Sequence, residues 1–166
     1  MLVDLKNGKK FYSPDEQKVK AMHDALVAAL RALDPAIMAT VVAQSLAAVL
    51  CMVYEVSGHR HAADAMETWF AEELEWPTDE RDVEAAMRDH DVIQSAVYDA
   101  IGLEKIAARD AETLGAAVNA LGNTIVAFAR KIWGPAGGER VESMLTRVAD
   151  EVVKENLPPA GEAGAN

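Results

Sequence analysis

The sequence predicts an all-α protein, a single-domain bundle of about six helices, and three observations carry that reading. Alanine fills 31 of the 166 positions, and it combines the highest helix propensity with a side chain small enough for close helix packing. Half the residues are apolar but only 5% are aromatic, and clusters of Val, Ile, Thr and aromatics that would mark strands are almost absent. Apolar residues also recur at three- and four-residue spacing through one segment after another. A chain of this length can bury a core without staples.

Residues 1–12 contain "LKNGKKF", an Asn-Gly pair between short apolar runs, which predicts a tight hairpin or an extended arm. A lone hairpin is marginal in water, so it is expected to lean on the bundle or on a second subunit. The helical bundle follows over 13–156. Ser13 is the expected N-cap of the first helix, with Pro14 in its first turn and acids near its positive end. Val19, Met22, Leu26, Leu30 and Leu33 form its buried stripe, and Asp34-Pro35 ends it. A second helix is expected over about 35–57, closed by Gly58. The third, about 60–75, turns Met66, Trp69 and Phe70 inward, and Pro77 stops it. Thr78 or Asp79 caps a fourth helix that runs to Gly102. "LEKIAARDAE" leads into a long fifth helix ending at Gly134, "GPAGG" reads as a loop, and a sixth helix covers about 138–156. Residues 157–166 read as a flexible tail.

The chain also resembles itself. "AMETWFAEEL" at 65–74 and "SMLTRVADEV" at 143–152 share Met, Thr, Ala and Glu in register. Each follows a nearly uncharged helix ended by glycine, and so two three-helix units, 13–76 and 78–156, are expected, packed around a pseudo-twofold axis or stacked in series. The central helix of each unit carries a stripe of small residues: Ala36, Ala39, Ala43 and Ala47 in one, Gly115, Asn119, Gly122 and Ala129 in the other. Glycine costs a soluble helix about 1 kcal/mol against alanine, so two of them on one face predict that these helices cross where no side chain fits. The polar Gln44, Asn119, Asn123 and Thr124 then need partners inside, and they are the expected lining of any ligand pocket.

Charge narrows the function. A net charge of −11 opposes binding to nucleic acid, which needs a basic surface to displace phosphate counterions, and opposes docking on anionic lipid. Residues 35–54 lack any charge over about the length of a bilayer span, but their Ala, Thr, Gln and Ser content reads as a buried central helix. The single cysteine, Cys51, allows no internal disulfide, and the first residues lack a signal-peptide pattern; both fit the cytoplasm.

The densest chemistry lies in "EVSGHRHAAD", where Glu55, His59, His61 and Asp64 are the candidate metal ligands. Arg60 between the histidines opposes a cation, and Gly58 breaks the helical spacing that would align Glu55 with His59, so an interhelical corner competes with the metal site. His23 and His90 sit on the apolar faces of corresponding helices and form a second candidate pair for ligand binding. No nucleophile motif or phosphate-cradling glycine loop is present, no cofactor is expected, and Cys51 in its apolar run is expected to be inert. The reading is therefore a small acidic protein, more simply not an enzyme, that assembles with itself or with another protein. The alternative is a ligand-binding or enzymatic bundle with a polar pocket between the central helices.

Overall fold

The computed structural model describes residues 5–7, 10–12, 15–74, 83–102 and 111–156. The expected Ser13 cap and Pro14, the Asn-Gly turn at Gly8, Trp76, Pro77 and the cap at Thr78 or Asp79, the approach 103–110 and the tail 157–166 lie outside them. The fold is predominantly helical. Its helices are α1 (Glu16–Arg31), α2 (Ala39–Val56), α3 (Arg60–Glu72), α4 (Val83–Ile101) and α5 (Ala111–Asn156). A short antiparallel ribbon, β1 (Leu5–Asn7) with β2 (Lys10–Tyr12), pairs Leu5 with Tyr12 and rests on α5.

Local chemistry sets the boundaries. Asp15 caps α1, its carboxylate accepting from the Gln17 N–H at 2.8 Å. The second helix begins later than its sequence suggests. Asp34 takes the Ala36 N–H at 2.9 Å and the Ile37 N–H bonds its carbonyl at 3.1 Å, so 34–37 is a turn rather than a first helical coil. Ala36 is consequently exposed, and the small-residue face of α2 starts in earnest at the buried Ala43. At the other end Gly58 has φ +83°, the His59 N–H reaches the Tyr54 carbonyl and the Gly58 N–H reaches the Glu55 carbonyl. That pair of bonds is the Schellman closure, which needs the left-handed residue that glycine supplies without a Cβ penalty.

The expected "GPAGG" loop is a correction. Helical structure runs from Ala111 to Asn156 and is interrupted at Gly134 alone (φ 79°, ψ −175°). Pro135 stands at the first position of the following stretch, where its missing N–H has no partner to lose. The bend brings the chain close upon itself: a Cβ on Gly137 would lie 2.3 Å from the Trp133 Cβ, and one on Gly138 2.3 Å from the Arg130 Cγ. Glycine at 137 and 138 is thus what permits helix to resume directly after the break.

The core gathers around α2 and α5, which share the most extensive contact in the fold. Ala43, Ala47, Gly115, Asn119, Gly122 and Ala129 of these two helices are all buried. Leu46, Val49, Val53, Leu121 and Ile125 fill the remaining volume with at most 1% exposure, so each contributes roughly 1.5–3 kcal/mol of burial. Leu26 of α1, Met66, Trp69 and Phe70 of α3, and Ile93 and Val97 of α4 close the sides. α4 runs in the same direction as α2, with His90 beside Ser45 and Tyr98 beside Met52. α3 runs antiparallel to the last stretch of α5, with Glu155 beside His59, Met144 beside Trp69 and Arg140 beside Glu73.

Candidate functional site

The histidine corner is held by a residue that its sequence does not suggest. His59 stands at the N-terminus of α3 without a side-chain cap of its own. Glu155, near the end of α5, supplies one from across the fold: its Oε1 accepts the His61 N–H at 2.8 Å, and its Oε2 lies 3.3 Å from His59 Nδ1. The carboxylate sits where the dipole of α3 is positive, the favourable place for an anion. His59 and Glu155 are mostly covered, at 15% and 16% side-chain exposure, whereas His61 is open at 74%.

The four expected metal ligands therefore diverge. Glu55 is exposed on the groove between α2 and α3, Asp64 lines a different groove between α3 and α5, and the two histidines turn to Glu155. Among the described residues no three His, Cys, Asp or Glu side chains are grouped closely enough to hold a metal ion. His23 is half-buried, 4.0 Å from Asp24 on its own helix, and Lys20 bonds that aspartate and holds its carboxyl below the usual range.

His90 takes part in a defined network. The Ser45 hydroxyl donates to the Val41 carbonyl at 2.7 Å and lies 2.7 Å from His90 Nδ1, while His90 Nε2 lies 2.9 Å from the Gln94 side-chain nitrogen. In the tautomer that carries its proton on Nδ1, the ring donates to Ser45, whose own proton goes to Val41, and Nε2 accepts from the Gln94 amide. A serine beside a histidine invites comparison with a nucleophile and its base. Ser45 is fully buried, its proton is already given to its own helix, and no substrate carbonyl can reach it. The pair is a polar lock between α2 and α4.

The expected amide-lined pocket is likewise dispersed. Asn119 is fully buried, its amide donating to the Gly115 carbonyl at 2.8 Å, and Thr124 donates to the Ala120 carbonyl at 2.8 Å. Asn123 is half-buried on the same helix. Gln44 is exposed on another face, lining the α2/α3 groove. Two buried oxygens, Asn119 Oδ1 and Thr40 Oγ1, have no hydrogen-bond partner among the described residues.

What remains is surface. The α2/α3 groove has a volume of about 580 Å³, with Ala47, Ala48, Cys51 and Met52 of α2 and Met66 and Phe70 of α3 as its floor. Gln44, Glu55 and Glu67 form its rim. Burial pushes the Cys51 thiol up, and the carboxylates of Glu67, Glu55 and Asp64 push it the same way. A thiol so placed stays protonated at neutral pH and is a poor nucleophile. The sulfhydryl is directed to the Ala63 carbonyl at 3.5 Å. A second groove of about 460 Å³ lies between α3 and the end of α5, and its rim mixes charges, with Arg147 3.6 Å from Glu73 and Lys154 3.0 Å from Glu151. Sequence reasoning missed Glu155, Ser45 and Glu67. Only Ser45, polar within an apolar run, carried a signal that could have marked it.

Comparison with known proteins adds no relationship: no family model, curated protein or solved structure matches this chain.

Proposed function

We propose that this protein acts through protein–protein contact, assembling with itself or with another protein, in the cytoplasm and without nucleic acid or membrane as a partner. The observation that carries the reading is the incomplete cover of α2. This helix is apolar enough to cross a membrane by length and composition, with a mean hydropathy of 1.7, yet only 61% of that stretch is inside the fold. Three of its incompletely covered apolar side chains, Ala48, Cys51 and Met52, open onto the α2/α3 groove, and apolar surface gathered in a concave, polar-rimmed site is what interfaces use. The absence of a catalytic grouping among the described residues leaves this as the simplest use of the surface.

Self-association is the first form to test, on the outer face of α4, where Met87 and Val92 are 64% and 55% exposed. Sedimentation over a wide dilution range should give an oligomer that dissociates, and Met87→Lys with Val92→Lys should make it monomeric. A wild-type monomer throughout removes the homo-oligomer.

The same reading includes two three-helix units, 13–76 and 78–156, with the stretch after Gly134 acting as a sixth helix. Its support is the contact pattern: α1 meets α4, α2 meets α5, α3 meets α5, and the α1–α5 contact mirrors α2–α4. The alternative, a ligand-binding bundle, draws support from Asn119 Oδ1, which has no partner among the described residues, since a buried carbonyl oxygen without a donor is a place for a polar guest.

A further inference from the structure

We infer that the α2/α3 groove receives a cationic amphipathic helix from a different protein, an inference that rests on the interaction reading above. The floor sets the apolar requirement. Met52 is half-buried on it, and methionine adapts to side chains of varied shape; the small Ala48 leaves room for them, over the buried Met66 and Phe70. From Gln44 to Glu55 the groove follows α2 for about 16 Å, the length of three helical turns. Such a depression takes one apolar stripe of a helix laid along it.

The rim sets the charge. Glu55 on α2 and Glu67 on α3 are exposed on the lining, and among the described residues no lysine or arginine lines it. Their field reaches the floor, because both raise the Cys51 thiol beyond what burial does. A helix with Lys or Arg beside its apolar stripe would meet a carboxylate on each wall, and the −11 charge of the whole chain would draw it in.

A second copy of this chain does not supply that helix. α3 carries Arg60 against Asp64, Glu67 and Glu72, and α4 carries Arg88 against Glu84, Asp89, Asp91 and Asp99. α1 offers Lys18, Lys20 and Arg31, but Lys18 is paired with Glu112 and Lys20 with Asp24, and in α5 the exposed Arg130 and Lys131 stand side by side just before the break at Gly134 rather than along three turns of one face. Two grooves face to face would set acid against acid.

The test uses the full chain and a fluorescein-labelled synthetic helix of Leu and Lys at helical spacing, with a counterpart carrying Glu for Lys. The Lys peptide should bind once per chain and slow maleimide alkylation of Cys51, and the Glu peptide should not bind. Glu55→Gln with Glu67→Gln should weaken the Lys peptide about three- to tenfold, while the distant pair Glu139→Gln with Glu142→Gln, equal in charge change, should leave it within about twofold. Equal weakening by both pairs overturns the inference, as that is attraction to any acidic surface. So does an unchanged Cys51 rate with peptide bound, and so does a Cys51 rate that falls with protein concentration alone, which makes the groove an interface between copies. An oligomer that ignores the peptide removes this inference and keeps self-assembly; peptide binding to a monomer does the reverse.

Discussion

Glu155 joins two ends of the sequence with one carboxylate. It accepts the His61 N–H at the start of α3 and faces His59 Nδ1 with its other oxygen, so the last turns of α5 are tied to the corner after α2. Removing the carboxylate leaves a helix N-terminus uncapped and a mostly covered histidine without its acceptor. Glu155→Ala is expected to cost about 1–2 kcal/mol, and Glu155→Gln less, because an amide oxygen still accepts the His61 N–H. Thermal melting of the two variants checks this order, and equal losses would show that the contact works through packing alone. At the same scale Ser45 and His90 form a hydrogen-bonded link between helices rather than a catalytic pair, because the fully buried hydroxyl is out of reach of a substrate.

Among the elements, the breaks matter as much as the helices. Gly58 and Gly134 both take positive φ, at 83° and 79°, and neither has anything within 4 Å of where a Cβ would stand. Gly137 has ordinary φ but would place its Cβ 2.3 Å from that of Trp133, which is fixed to backbone and cannot retreat. The two classes should separate on substitution. Gly58→Ala pays conformational strain of about 1–2 kcal/mol and keeps the fold. Gly137→Ala must reopen the bend, and should lose more stability together with the contact between α3 and the end of α5. Chemical denaturation with hydrogen exchange on α3 reads both quantities, and a milder loss in Gly137→Ala would mean that the bend relaxes freely.

For the molecule as a whole, pH acts through groups that prefer to stay neutral inside it. Burial raises the Tyr54, Cys51 and Tyr98 hydroxyl and thiol groups, with nearby carboxylates adding to the effect on Cys51. Each is an acid whose folded value lies above its unfolded one, so the folded state holds more protons once the unfolded chain begins to ionise. Stability is full below the unfolded values and falls as pH rises through them, from about 8.5 for a free thiol to about 10 for a free tyrosine. The melting temperature should therefore decline above that threshold, and Tyr54→Phe should flatten the decline. An alkaline slope unchanged by Tyr54→Phe would assign it to the repulsion of the excess negative charge instead.

By itself the sequence determined the helical class, the inward stripe of Met66, Trp69 and Phe70, the stop at Gly58 and the contact between α2 and α5. Those features are local: spacing, propensity and a missing Cβ act within one or two turns, so they are legible wherever they stand. Tertiary structure decided the rest. It brought Glu155 to the histidine corner from 94 residues away, set Ser45 against His90, turned Gln44 outward while enclosing Asn119, and let helix resume at once after Gly134. The groove between α2 and α3 belongs to the same class, since an apolar strip on α2 reads as core until the neighbouring helices leave part of it uncovered. Which polar groups meet, and which apolar ones are left to solvent, depends on distances between segments remote in the chain, and spacing along a helix carries no record of them.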